Sequence, residues 1–308
     1  MTLSSSLKGL QPSGKFMFLL GLFLISIAVA SILQVAIILP FSNLKSLTDL
    51  ASLNDFSDPN LITGMKIAQA VSVLFMFIIP AFFFAYLTSE QKIYYLKINK
   101  GFPVFLATGV ILLVFSVMPF INWAGEINSH LSLPSFMSNL ESWMKSSEES
   151  AKKLTDAFLQ MDGIADLIVN IIVIALLAAM GEELFFRGCM QNIVVEWIKN
   201  KHVGIWITAI IFSASHMQFY GFLPRMFLGV VLGYLYIWSG SLWLSMLFHF
   251  LNNGLAVLFS YLISKGTISE SAETIGAGES PIYLALISAI VSIGMMYFVY
   301  RNSLKSEL

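Results

Sequence analysis

From Leu167 to Met180 the sequence offers a single polar side chain, Asn170, and the next seven residues, Gly181 to Arg187, bring two adjacent carboxylates and a guanidinium. An apolar run of this length reads as a helix inside a bilayer, and the charges that follow it constrain the fold further. Placing one Asp, Lys or Arg at the centre of a membrane helix costs about 2.5 to 3.5 kcal/mol, so such groups face a protein interior and carry function. Composition agrees: 57% of the 308 residues are hydrophobic and 11% charged, whereas soluble domains average about 25% charged. The chain therefore reads as an all-α, polytopic integral membrane protein. A net charge of -1 with no Lys/Arg-rich run gives no reason to expect a nucleic-acid partner. The single Cys189 rules out an internal disulfide and a Cys-based metal knuckle, and reads as a small apolar filler.

Apolar runs predict about eight spans. The first, Phe16 to Phe41, follows Lys8 and Lys15; its Ala28-Val-Ala30 resembles a signal-peptidase site, but apolar sequence continues beyond it, so a signal anchor is preferred. A loop with Asp49, Asp55 and Asp58 leads to the second, Ile62 to Thr88, which Pro80 should kink. Lys92, Lys97 and Lys100 precede the third, Phe102 to Trp123, and by the positive-inside rule make that loop cytoplasmic, as are both termini. Ala124 to Gly163 is polar with apolar residues every three or four positions, predicting an amphipathic helix or pair of helices on the outer interface: a surface brace, or alternatively a substrate-admitting cap. Asp166 opens the charged helix; spans follow at Val203 to Tyr220, Met226 to Trp238, Trp243 to Ile263 and Pro281 to Tyr300. The outer loop between the last two carries Glu270, Glu273 and Glu279, and the expected division is 1–163, 164–301 and a short tail 302–308.

Polar residues recur in two further apolar helices, as Phe212-Ser-Ala-Ser-His216 and His249-Phe-Leu-Asn-Asn253. Residues four apart share a helix face, so Glu183 can neutralise Arg187 while Glu182, about 100° round the helix, is left to face another surface. With the Lys199 to Lys201 turn as a hairpin tip, Glu183 and His216 stand about 24 and 22 Å up its two arms, whereas His249 is about 12 Å above the Ser239 to Ser241 turn. The three sites meet only if the first hairpin protrudes by about 10 Å at the inner face, which Gln191, Asn192, Glu196 and Lys199 make reasonable.

These stretches resemble the CPBP membrane proteases, also called the ABI family, which include the CAAX prenyl endoprotease. That family's motifs stand here in order as Glu182-Glu183-x-x-x-Arg187, Phe212-x-x-x-His216 and His249-x-x-x-Asn253, and Gly229, Gly233 and Ser239 to Trp243 look like its segment before the third motif. The resemblance covers about Leu167 to Leu258. It implies an intramembrane endopeptidase in a bacterial plasma membrane, acting on membrane-associated peptide or protein substrates. It also implies Glu182 as the base for water, His216 as its holder, His249 and Asn253 as oxyanion donors, and Glu183, Arg187 and Phe212 as support. No cofactor is expected. The alternative is zinc on Glu182, His216 and His249, since Glu with two His is a catalytic zinc set. Two other classes compete. A transporter would use the same charges as a relay, but no inverted repeat is evident; a non-cleaving peptide-binding or immunity protein would have no need of all three motifs.

Overall fold

The computed structural model describes residues 7–42, 56–278 and 280–305; Asp49, Asp55 and Glu279 lie outside them. It is all-α. Among the described residues seven helices are long and apolar enough to cross a membrane: α1 (Pro12–Phe41), α2 (Pro59–Thr88), α3 (Val104–Ser129), then, after the amphipathic α4 (Ser138–Phe158), α5 (Ile164–Ile198), and, after a shorter α6 (Lys201–Ser215), α7 (Phe219–Ser239), α8 (Leu242–Ser264) and α9 (Ile282–Ser303). The expected eighth span is α6. Its 15 residues reach about 22 Å, short of a hydrocarbon core of about 30 Å.

Local chemistry explains the irregular places. Pro80 offers no N–H and its ring crowds the carbonyl one turn back, and α2 forms a π-helical turn at Leu74–Ile78 immediately before it. Helix α5 begins where the Asp166 carboxylate accepts from the N–H groups of Asp162 and Gly163. Buried Asn170, the lone polar residue of the apolar run, donates to Phe158 O at 2.6 Å and ties α5 to the end of α4. Helix α6 ends at Ser215, five residues before the expected limit, because Met217 takes a left-handed conformation (φ 55°).

Close packing brings α5 to the middle of the bundle. A Cβ on Gly181 would lie 2.6 Å from Val73 of α2, one on Gly229 3.0 Å from Ala209 of α6, and one on Gly233 2.8 Å from Ile205. Small residues let membrane helices approach in this way. A run of ring contacts, Phe23–Phe185 (4.8 Å), Phe185–Phe186 (5.2 Å) and Phe186–Phe212 (5.1 Å), joins α1, α5 and α6.

The hairpin α5–α6 does protrude. Asn192 donates to Tyr95 O, and the 97–100 segment bonds to the Ser241–Trp243 turn, so these backbones share a level. The tip at Lys199 lies seven residues further along α5, about 10 Å at the rise of an α-helix. Two of the four residues read as marking an exposed tip do something else. Gln191 is fully buried and donates to Gly233 O, and Asn192 is held between Tyr95 and Tyr236, because α7 and the 92–100 loop cover that side. Glu196 pairs with Lys15 at 2.8 Å, and Lys8 with Glu90. Near the other end of the chain, Tyr300 rests on Trp238. Both ends of the described chain therefore lie on the side of the lysine-bearing loop.

At the opposite side α3 runs on to Ser129, past the expected Trp123, since Asn128 clips its end to the α6–α7 connection through Phe219 O and Leu223 N. The polar segment beyond it forms one long amphipathic helix, α4, after a short 3-10 turn.

Candidate active site

Three helices deliver the motifs to one place. Glu183 and Arg187 are fully buried on α5 and four residues apart; Arg187 Nη1 donates to Glu183 Oε1 at 2.6 Å. That stretch of α5, Glu183–Gln191, is π-helical, a geometry that is rare and concentrated at functional sites. The other Arg187 terminal nitrogen donates to Gly229 O at 3.2 Å, and the guanidinium lies 4.5 Å from the centre of the Phe212 ring. Gly229 thus does more than let helices approach, because its carbonyl is the acceptor.

Glu183 is saturated. Oε1 accepts from Arg187 and from His249 Nδ1 at 2.9 Å, and Oε2 accepts from the Ser245 hydroxyl. A carboxylate so paired has no proton to give, so His249 Nδ1 is the donor; its Nε2 is a lone pair in the neutral ring and a second donor in the imidazolium. The same logic fixes His216. This residue caps the C-terminus of α6, its Nδ1 lies 2.9 Å from Phe212 O, and a backbone carbonyl only accepts. Its Nε2 is likewise a lone pair in the neutral ring and a donor in the imidazolium.

Both Nε2 atoms are turned towards Glu182. Its Oε2 lies 3.9 Å from His216 Nε2 and 3.9 Å from His249 Nε2, and this buried oxygen has no hydrogen-bond partner among the described residues. A separation of 3.9 Å is too long for a direct hydrogen bond and suits one bridged by water. Phe212 forms the wall behind, with its ring 5.0 Å from that of His216 and 6.1 Å from that of His249.

Glu182, His216 and His249 open on a cavity of about 430 Å³ that also reaches Asn252 and Asn253. Asn253 Nδ2 donates to Ile174 O at 3.3 Å, and its Oδ1 accepts from Asn252. All seven residues singled out in the sequence therefore converge. Three partners were not visible there. Ser245 reads as one more small residue in a helix; Arg225 belongs to none of the three motifs; Glu273 sits in a loop about 20 residues beyond the last motif. Arg225 and Glu273 line the cavity, as do Thr155 and Leu159 from α4 and the residue that follows it. The outer segment thus reaches the site, which favours the cap over the surface brace. Burial, with Glu270 beside it, raises the Glu273 carboxyl from its ordinary value.

For zinc, the donor types and the two imidazole tautomers fit, because metal-binding histidines pass their other N–H to a carboxylate or carbonyl. The spacing is wider than ligation requires: among the described residues no group of three His, Cys, Asp or Glu stands close enough to hold a metal.

Residues 164–255 match the family model described as Type II CAAX prenyl endopeptidase Rce1-like. Over 88 residues the chain is 33% identical to the uncharacterized protein YpbD of Bacillus subtilis (strain 168), covering 27% of this chain and 42% of that protein. Over 100 residues it is 34% identical to an uncharacterized 24.3 kDa protein of Escherichia coli, covering 31% of this chain and 46% of that one. The chain thus spans less than half the length of the curated relatives it matches. No solved structure matches it. The matched segment, 164–255, carries all three motifs, on α5, α6 and α8, and is similar to the Rce1-like type II CAAX prenyl endopeptidases.

Proposed function

We propose that the protein is an intramembrane endopeptidase that hydrolyses peptide bonds of membrane-associated substrates with a water activated by Glu182, and that 164–301 is its protease core. One observation carries this reading: the unpartnered Glu182 Oε2 faces the Nε2 atoms of two imidazoles across 3.9 Å gaps inside a cavity. With His216 neutral, water placed there gives one proton to Glu182 while its other hydrogen stays on the oxygen and bonds to His216 Nε2, which turns the oxygen lone pair towards a peptide carbonyl carbon. The carbonyl oxygen becomes an oxyanion, for which the Asn253 amide is a donor. His249 acts as its imidazolium, which keeps its proton throughout the cycle: Nδ1–H stays on Glu183 and Nε2–H is the second donor to the oxyanion. Glu182 then passes its proton to the departing amine, so the protons balance without a covalent intermediate. The lysine-bearing loop and both termini would face the cytoplasm, by the positive-inside rule, and a bacterial plasma membrane is the expected location.

The test is cleavage of lipid-tethered peptides by purified protein in liposomes, read by mass spectrometry, against a Glu182→Gln control. Products made by the natural protein and lost in the variant support the reading; no products from the natural protein, or equal products from both, overturn it. A second reading, favoured by two Nε2 atoms turned to one carboxylate oxygen, is zinc held by Glu182, His216 and His249, where it would lower the pKa of a bound water. Metal analysis of active protein decides between the two. Far less than one zinc per chain, with activity kept under chelation, is expected. About one per chain, with activity removed by chelation and restored by zinc, would falsify the metal-free mechanism.

A further inference from the structure

Arg225 is a half-buried cation in the cavity that holds Glu182, and none of the proposed chemistry uses it. It stands in the first turn of the long α7 helix. Its guanidinium is held in place from one side only: Nη1 donates to Gln218 O at 2.9 Å and Nη2 to Gln218 Oε1. The chain is shaped to allow this. The left-handed Met217 turns it out of α6 so that Gln218 reaches back, and Gly221 leaves the space, since a Cβ there would lie 2.5 Å from Nη2 and 3.0 Å from Nη1.

The acids nearest this cation leave it without an ion pair. Among the described residues Arg225 makes no salt bridge. Glu182 faces the histidines. Glu273 shares the cavity, but burial disfavours its charged form. Glu148 of α4 accepts from Tyr220 N at 3.3 Å, which shows that the backbone entering α7 already draws a carboxylate, as the positive end of a helix does. A guanidinium has five donors. Gln218 takes two, leaving a fork whose planar geometry matches a carboxylate.

We infer that Arg225 is a specificity-determining residue, which binds a carboxylate of the substrate in the cavity while the scissile bond lies at Glu182. The inference rests on the peptidase reading above and names one requirement of its substrate. The carboxylate has two sources, a free C-terminus or an acidic side chain, and the guanidinium would take either.

The experiment uses an N-palmitoylated peptide that the liposome assay shows to be cut, made in matched pairs: C-terminal free acid against carboxamide, and each internal Glu or Asp against Gln or Asn. The readout is the ratio of kcat/KM within a pair. The natural protein should favour the acid member of one pair by about 10- to 100-fold, the range of a hydrogen bond to a charged group, and that pair identifies the source. Arg225→Gln should abolish the preference. Arg225→Lys, which keeps charge without the fork, should retain part of it, and Gly221→Ala, which displaces the guanidinium, should weaken it. Loss of folded protein lowers both members equally and leaves the ratio unaltered, so a poorly folding variant does not mimic the result. Cleavage with no preference in any pair, or a preference that survives Arg225→Gln, overturns the inference and leaves the peptidase reading standing; absence of all cleavage overturns that reading instead.

Discussion

Glu182 and Glu183 are neighbours in the chain and identical in chemistry, yet α5 presents them to opposite surroundings. On the packed side, Glu183 has no exposure and its oxygens share three donors, from Arg187, His249 and Ser245. On the cavity side the Glu182 side chain keeps 15% exposure, and its Oε2 has no hydrogen-bond partner among the described residues, with two imidazole Nε2 atoms opposite it. Turning about the helix axis by one residue separates a carboxylate whose proton affinity is committed to structure from one free to take a proton from water. His249 joins the two sides, because the tautomer that the packed side imposes determines what its Nε2 can do in the cavity.

The most severe way to break this contrast is to neutralise each carboxylate in turn. Glu182→Gln keeps shape and removes the proton acceptor, so turnover should fall by about 10² to 10⁴ with thermal stability in detergent unchanged. Glu183→Gln should do the reverse first, lowering the yield and unfolding temperature of the protein, since it strands the Arg187 guanidinium in a site with no exposure. If Glu182→Gln unfolds the protein while Glu183→Gln silences an intact one, the two roles have been assigned the wrong way round.

Arg187 sharpens the packed side alone. Arg187→Ala leaves Glu183 buried beside a single cationic candidate, His249, and should cost about 3 to 5 kcal/mol, as for other broken buried pairs. Arg187→Lys should recover only part of that, because an ammonium cannot bond Glu183 and Gly229 O from one plane while also lying over Phe212. Denaturant unfolding of the three proteins measures the difference, and an Arg187→Ala protein as stable as the natural one removes the argument.

Much of this was legible before any coordinates. Length and hydropathy place the helices because lipid leaves a backbone few alternatives, and four-residue spacing is enough to pair Glu183 with Arg187. The need for a protruding α5–α6 hairpin follows from counting residues, since the rise per residue is fixed. What stayed hidden depends on contacts between distant helices. Ser245 is one of many small residues in apolar helices, and only the approach of α8 to α5 makes it a donor. The stop of α6 at Ser215 depends on a non-glycine residue taking a positive φ, which Met217 does not advertise. The reach of Thr155, Leu159 and Glu273 into the cavity depends on how α4 and the α8–α9 loop fold back over the bundle, and a periodic pattern gives a face without naming what it covers.

The mildest test concerns Ser245. Its one hydroxyl proton has two acceptors within reach, Glu183 Oε2 and Leu232 O at 3.2 Å; the carboxylate, being charged, is the stronger. Ser245→Ala removes one of the three donors on Glu183 and leaves both bonds to Oε1, from Arg187 and His249, in place. The expected cost is about 1.5 to 3 kcal/mol, the worth of a hydrogen bond to a charged group, and so less than that of Arg187→Ala. Turnover by the folded fraction should stay within about tenfold of the natural protein, equivalent to about 1.4 kcal/mol at the transition state, because the His249 tautomer survives as long as Nδ1 keeps its carboxylate. Unfolding and single-turnover rates on one preparation check both numbers. A variant of normal stability that loses activity as deeply as Glu182→Gln would mean that the packed side takes part in the chemistry, and the division between the two carboxylates would fail.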